Sequence, residues 1–129
     1  MVVTPSRPHF LPHFLRQTTN YDAASVAEIA GQMEKAGIAP RIMIDCSHAN
    51  SNKDHTRQGL VCRDVAAQIA AGDRRILGVM MESNLVAGAQ KFMPGKPLVY
   101  GQSITDGCVD WSETHGLLTE LAAAVRARG

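Results

Sequence analysis

The sequence has no excess of charge of either sign, few aromatic residues and no long hydrophobic run. Its 13 Lys and Arg residues against 12 Asp and Glu give a formal net charge of +1. We therefore expect neither nucleic acid nor a membrane surface as a partner. No apolar stretch approaches the ~20 residues of a membrane span, and the N-terminus lacks the pattern of a secretory signal. At 129 residues, the chain is also shorter than a complete (β/α)₈ barrel, which typically needs about 250.

Cysteines are few, and several nucleotide-binding and hydrolase motifs are missing. Cys46, Cys62 and Cys108 are odd in number and widely spaced, which excludes a disulfide framework and favours a reducing, cytoplasmic location. We expect Cys62 and Cys108 to be small buried hydrophobes. The sequence contains no Gly-x-Gly-x-x-Gly, Walker A or Gly-x-Ser-x-Gly motif, so dinucleotide binding, P-loop chemistry and serine hydrolysis are unsupported.

Alternating strand and helix patterns follow an irregular N-terminal tail at residues 1–12. Apolar runs predict strands at 13–16, 41–46 and 75–80, and helical periodicity predicts three helices, over 22–36, 57–71 and from 110 or 112 onwards. The segment 84–107, rich in Gly and Pro, is interpreted as a long functional linker. The expected inner faces of the second and third helices are Leu60, Val61, Val65 and Ile69, and Leu117, Leu118, Leu121 and Val125. This order predicts an α/β fold with parallel strands and right-handed crossovers.

Three side chains that can bind a metal follow the predicted strands or precede the last helix. They are His48, Glu82 and Asp106. Functional residues of parallel α/β folds collect at the carboxyl ends of the strands, and one imidazole with two carboxylates suits Mn²⁺, Fe²⁺, Co²⁺ or Zn²⁺. The alternative is that His48 is a solvated loop residue and that the two carboxylates are turn or cap residues. Spacing alone does not decide between these interpretations.

Each of two further residues near these strand ends can be interpreted in two ways. Cys46 and His48 project to the same side of an extended chain and are able to chelate a metal as a pair, but a buried thiol is the preferred interpretation of Cys46. Arg16 ends the first predicted strand, where its guanidinium is either a bidentate phosphate ligand or an ordinary surface group.

Three segments resemble the last third of a class I DAHP synthase, a phospho-2-dehydro-3-deoxyheptonate aldolase. They are Met-Ile-Asp-Cys-Ser-His-Ala-Asn-Ser at 43–51, Gly-Val-Met-Met-Glu-Ser at 78–83 and Pro-Leu-Val-Tyr-Gly-Gln-Ser-Ile-Thr-Asp-Gly-Cys at 97–108. The resemblance extends over residues 13–129 and implies that this part of the chain forms about the last three βα units of a (β/α)₈ TIM barrel.

The resemblance also implies a function and a set of site residues. Class I DAHP synthases are transferases that condense phosphoenolpyruvate with erythrose 4-phosphate, the first step of the shikimate pathway to aromatic amino acids. Their divalent metal is held by a Cys, a His, a Glu and an Asp. The His, Glu and Asp are similar to His48, Glu82 and Asp106, and Arg16 resembles an arginine that binds the phosphate of phosphoenolpyruvate. No catalytic residue is assigned beyond the metal ligands.

The sequence also departs from the family pattern. The metal Cys of the family comes from an early strand that this sequence does not contain, and Cys46 occupies a different position. The Lys-Pro-Arg-Thr motif for the sugar phosphate and the effector-binding region are also absent, and Gln-Thr-Thr replaces the usual Gly-Gly after Arg16. We therefore expect an incomplete enzyme that associates through exposed strand edges, as a homo-oligomer or with another chain. The alternatives are a catalytically silent paralogue and a metal-binding fragment.

Overall fold

The computed structural model describes residues 18–129, which form three α-helices, four short β-strands and one turn of 3₁₀-helix. The helices are α1 (Ala23–Lys35), α2 (Gln58–Ala70) and α3 (Trp111–Arg128), and the 3₁₀ turn is His55–Arg57. The strands are β1 (Ile42–Asp45), β2 (Ile76–Met80), β3 (Val86–Ala89) and β4 (Gln102–Ser103). The predicted tail at 1–12, the predicted strand at 13–16 and Arg16 lie outside the described residues.

Aspartate side chains begin two of the three helices, close to the positions that the sequence predicts. The Asp22 carboxylate accepts a hydrogen bond from the backbone N–H of Ser25 at 3.0 Å, and that of Asp110 accepts one from Glu113 at 2.8 Å. Each carboxylate satisfies a donor in the first turn that has no partner within the helix. None of the helices in residues 18–129 is both long enough and apolar enough to cross a membrane.

Strands β1 and β2 are parallel neighbours, and α2 lies between them in the chain. Their register pairs Ile42 with Ile76 and Asp45 with Met80. The helices cover one face of this pair, where Ile42, Ile44 and Ile76 are buried together with side chains from α1, α2 and α3. The parallel strands and the mixed α/β fold predicted from the sequence are therefore confirmed.

The inner faces of α2 and α3 are narrower than the sequence predicts. Val61, Val65, Ile69 and Leu117 are buried as expected. Leu60, Leu118 and Val125 are instead about half exposed, so their predicted inward orientation is wrong. Helical periodicity groups residues within about 100° of one another on the helix surface, but it does not determine how wide a stripe the neighbouring elements cover.

The segment 84–107 contains regular structure that its composition did not predict. Strands β3 and β4 pair in parallel, with Val86 opposite Gln102. Isolated bridges pair Gly88 of β3 with Cys108, and Ser83 with Val109, at the two ends of this segment. Because each strand is only two to four residues long, its period-2 signal is too short to stand out from the surrounding Gly and Pro.

Apolar side chains remain exposed on the strand face opposite the helices. Met43 of β1 is 47% exposed and Leu77 of β2 is 61% exposed, whereas the residues next to them in sequence, Ile42, Ile44 and Ile76, are buried. This contrast is the period of two of a β-strand with one face packed on helices. Within the part of the chain that the structure describes, the second face of the β1–β2 pair has no comparable layer.

Candidate metal centre

Three of the side chains predicted to bind a metal meet where the strands end. His48 follows β1, Glu82 follows β2, and Asp106 follows β4. One ligand atom from each of these residues lies within 4.8 Å of the other two. Nε2 of His48 is 3.5 Å from Oδ2 of Asp106 and 3.8 Å from Oε1 of Glu82. His48 and Glu82 share this edge because β1 and β2 are parallel neighbours, whose carboxyl ends lie side by side. Asp106 reaches the same place from β4, which pairs with β3 in a second two-stranded sheet. Residues separated by up to 58 positions thus share one site.

A tight turn after β1 places His48 at this edge. The backbone of His48 is left-handed, with φ of 51°, a conformation uncommon for a residue with a side chain. Its carbonyl accepts the backbone N–H of Lys53 at 2.8 Å. Asn50, which is 4% exposed, donates from its side chain to the carbonyl of Asp45 at 2.8 Å and accepts the N–H of Asn20 at 2.7 Å. These bonds hold the turn against β1 and against the segment before α1.

The Glu82 backbone is clamped by a glutamine that the sequence analysis did not single out. Gln58, the first residue of α2, is fully buried. Its amide oxygen accepts the backbone N–H of Glu82 at 2.8 Å, and its amide nitrogen donates to the Glu82 carbonyl at 3.1 Å. A polar residue just before an apolar helical stripe is common at helix starts, so no sequence signal distinguished this residue from an exposed one.

The Asp106 end of the site packs against His55. A Cβ added to Gly107 would lie 2.9 Å from Nδ1 of His55 and 3.2 Å from Cβ of His55. The backbone at Gly107, next to Asp106, therefore lies too close to His55 for a larger side chain. A cleft of about 260 Å³ opens between these groups and is lined by Ser47, His48, Lys53, His55, Asp106 and Gly107. Lys53 and His55, which the sequence analysis did not assign to the site, therefore border the same space as His48 and Asp106.

Carboxylates dominate the electrostatics around His48. The hydrogen bond with Asp45, at 2.8 Å from Nδ1, raises the pKa of His48 above its ordinary value, and partial burial opposes that rise. The charges of Asp106 and Glu82 add to the increase in the pKa. Three carboxylates around one imidazole attract positive charge, whether a proton or a metal ion.

The donor set fits a divalent metal ion of the borderline kind. Metal–ligand bonds of roughly 2.0–2.2 Å place neighbouring ligand atoms about 3 to 3.5 Å apart, close to the observed distances of His48 Nε2 to the two carboxylates. The side chains of His48, Glu82 and Asp106 are 48%, 32% and 63% exposed, so both an ion and a substrate have access. An imidazole with two carboxylates is a ligand set used by Mn²⁺, Fe²⁺, Co²⁺ and Zn²⁺ sites.

All three cysteines are buried free thiols. Cys46 is fully buried and packs with Cys62, also buried. The hydrogen bond between the two thiols and the burial of Cys46 raise the pKa of the Cys46 thiol. The preferred interpretation of Cys46 as a buried thiol is therefore confirmed, as is the burial of Cys62 and Cys108. Among the described residues, the group suited to a metal contains no cysteine.

The chain is similar over most of its length to enzymes of one family. Residues 12–119 match the DAHP synthetase I family. The Phe-sensitive phospho-2-dehydro-3-deoxyheptonate aldolase of Escherichia coli strain K12 is 52% identical over 109 residues, which are 84% of this chain and 31% of that protein. The phospho-2-dehydro-3-deoxyheptonate aldolase AMT16 of Alternaria alternata is 53% identical over 115 residues, 88% of this chain and 31% of that protein.

A solved structure has the same arrangement. The phospho-2-dehydro-3-deoxyheptonate aldolase of Francisella tularensis SCHU S4 superposes with a TM-score of 0.83 at 47% identity, covering 87% of this chain and 32% of that chain. The chain thus spans about a third of the length of the relatives that it matches.

Proposed function

The chain belongs to the DAHP synthetase I family, and from this premise we propose that it supplies the metal-binding part of an enzyme that condenses phosphoenolpyruvate with erythrose 4-phosphate. This reaction opens the shikimate pathway to aromatic amino acids and makes the complete enzyme a transferase. The observation that carries the proposal is the meeting of His48, Glu82 and Asp106 within 4.8 Å at one edge of the fold. An enzyme of this kind needs an electrophilic aldehyde carbon, and this cluster is suited to hold the ion that provides it.

Each residue of the cluster has a defined task in this proposal. His48 binds the ion through Nε2, and Glu82 and Asp106 each contribute a carboxylate oxygen that balances its charge. A bound divalent ion supplies Lewis acidity that polarises the aldehyde of erythrose 4-phosphate. The cleft beside the cluster leaves space for the aldehyde end of the sugar, and Lys53 at its border provides a cation for an anionic substrate.

Arg16 has the proposed task of binding the phosphate of phosphoenolpyruvate through its guanidinium. It lies outside the described residues, so the support for this role is the motif alone. A planar guanidinium binds two phosphate oxygens at once, which fixes the orientation of the substrate as well as its charge.

We also propose that residues 13–129 form about three consecutive βα units of a (β/α)₈ barrel. Support comes from the parallel pairing of β1 and β2 and from the apolar side chains of Met43 and Leu77, which face away from the helices. In a barrel, this face belongs to a packed interior. Burial of this apolar face against another chain lowers the free energy. We therefore expect the 129-residue chain alone to associate. Light scattering from a monodisperse 13.9 kDa species would contradict this expectation.

Metal binding tests the first part of the proposal. We expect the 129-residue chain to bind one Co²⁺ ion per chain. Equilibrium dialysis and the visible absorption of the ion measure this binding. His48→Ala should remove this site, because a central ligand is lost. His115→Ala is the matched control, since His115 is an exposed histidine on α3. Equal Co²⁺ binding by the wild-type chain and the His48→Ala variant would refute the proposed site.

A chimaera tests the catalytic part and separates it from a silent paralogue. Residues 20–129 replace the corresponding third of the Escherichia coli relative, which is 52% identical in the matched region. We expect release of phosphate from phosphoenolpyruvate that depends on erythrose 4-phosphate and on Mn²⁺, and that is lost in the His48→Ala chimaera. A folded chimaera that binds Mn²⁺ without turnover would favour a catalytically silent paralogue. The 129-residue chain alone is expected to show no turnover, because its sequence lacks the Lys-Pro-Arg-Thr motif.

A further inference from the structure

The Asp45 carboxylate makes two different hydrogen bonds at the end of β1. Its Oδ1 accepts the backbone N–H of Ser47 at 2.8 Å, which closes the turn after the strand. Its Oδ2 lies 2.8 Å from Nδ1 of His48. The Asp45 side chain is 23% exposed, so it is shielded from much of the competing water. The two oxygens thus connect the turn that carries His48 to the ring of His48 itself.

The contact with Oδ2 determines which ring nitrogen of His48 carries the proton. An ionised carboxylate accepts hydrogen bonds and donates none, so Nδ1 must be the N–H donor. In the neutral imidazole, Nε2 then has a free lone pair. That lone pair belongs to the atom that lies 3.5 Å from Asp106 and 3.8 Å from Glu82. The atom facing the two carboxylates is therefore in the form that binds a metal ion.

We propose that Asp45 is a positioning residue for the metal centre, which holds His48 in the Nδ1–H tautomer and points Nε2 at the ion. The proposal rests on the proposed function, since it needs His48, Glu82 and Asp106 to hold a divalent ion. A carboxylate behind a metal-bound histidine fixes the ring orientation and makes the ligand nitrogen more basic. Loss of such a partner typically lowers metal affinity by about 10- to 100-fold.

The role of Asp45 in positioning can be separated from its role in folding. Other bonds hold the turn without the Asp45 carboxylate: the Asn50 side chain donates to the Asp45 carbonyl, and the Lys53 N–H donates to the His48 carbonyl, both at 2.8 Å. A variant that changes only the polarity of the atom facing Nδ1 therefore leaves this framework in place.

Asp45→Asn is such a variant. The Ser47 N–H needs an acceptor, so the amide oxygen of the new side chain should take the Oδ1 position. The amide NH₂ group of that side chain then faces Nδ1 of His48. Two donors then face each other unless His48 changes to the Nε2–H tautomer, in which Nε2 has no lone pair for a metal. Asp54→Asn is the matched control. Asp54 also accepts the backbone N–H of the residue two positions later, Thr56, at 3.0 Å, and its side-chain hydrogen bonds are to Thr56 and not to His48.

Two measurements on the 129-residue chain test the proposal. In the metal-free protein, at a pH where the imidazole is neutral, the ¹⁵N chemical shifts of labelled His48 should report Nδ1–H in the wild type and in Asp54→Asn, and Nε2–H in Asp45→Asn. In equilibrium dialysis, Asp45→Asn should bind Co²⁺ about 10- to 100-fold more weakly than the wild type, whereas Asp54→Asn should bind it equally well.

The outcomes distinguish this proposal from the proposed function. If Asp45→Asn keeps the Nδ1–H tautomer, or binds Co²⁺ within twofold of the wild type, the role of Asp45 is wrong while the metal centre stands. If the wild type binds no Co²⁺ at His48, both proposals are overturned. Weaker binding with an unchanged tautomer would show that Asp45 acts only through the turn, which also contradicts the positioning role.

Discussion

Replacement of Gln58 by Leu tests whether one buried amide holds the Glu82 backbone in place. Leu has a similar volume and is apolar, so the substitution removes both hydrogen bonds to Glu82 without opening a large cavity. The Glu82 N–H then loses its partner, while the Glu82 carbonyl still accepts the N–H of Val109 at 3.0 Å. The change therefore leaves one donor unpaired and removes one of two bonds to an acceptor.

The expected loss of stability follows from these two effects. An unpaired buried donor costs about 1–3 kcal/mol, and a lost hydrogen bond whose acceptor keeps another partner costs about 0.5–1.5 kcal/mol. Gln58→Leu should therefore lower the free energy of unfolding by about 2–4 kcal/mol. A typical domain has a total free energy of unfolding of about 5–15 kcal/mol, so this loss is large. Urea denaturation, detected by circular dichroism at equal chain concentrations, measures this change in the free energy of unfolding.

A second measurement separates the effect on the proposed metal site from the effect on the fold. Glu82 lies two residues after the end of β2, and a shift of its backbone moves its carboxylate away from His48. The affinity for Co²⁺ should therefore fall. Gln32→Leu is the matched control, since Gln32 is an exposed glutamine on α1 and should change stability by less than about 0.5 kcal/mol. An unchanged urea midpoint for Gln58→Leu would refute the reasoning, and lower stability with unchanged Co²⁺ affinity would restrict the role of Gln58 to folding.

Three further predictions concern the stability and packing of the fold. Asp110→Ala should cost about 1 kcal/mol of stability through loss of the α3 N-cap; a thermal midpoint equal to that of the wild type would contradict this. Gly101→Ala should cost about 2–4 kcal/mol, because φ is +79° and the new Cβ would lie 2.8 Å from Cβ of Leu85. Gly95→Ala, with φ of +78° and no atom within 4 Å, should cost clearly less in the same urea titration, and equal losses would exclude crowding as the cause. Iodoacetamide should leave Cys46 unmodified in the native chain and label it in urea, and rapid native labelling detected by mass spectrometry would contradict its burial.

Local patterns predicted the main helices and the buried strands well. The apolar run before His48 and the helical stripe of Val61, Val65 and Ile69 give signals that extend over several residues, and these residues are buried as predicted. Strands β3 and β4 were not predicted, because two to four residues within a segment rich in Gly and Pro carry too short a signal. The exposure of Leu60 was also not predictable, since it depends on which parts of a helix its neighbours cover.

The sequence by itself determined which side chains of a metal-ligating type follow the strands and which family motifs they belong to. His48, Glu82 and Asp106 were identified in this way, although their chemical types alone allowed turn and cap roles as well. Only the tertiary structure decided that their ligand atoms lie within 4.8 Å of one another, that Gln58 holds the Glu82 backbone, and that Asp45 faces Nδ1 of His48. The physical reason is that a periodic pattern records which face of an element is buried, whereas a binding site depends on distances and hydrogen-bond directions between elements far apart in the chain.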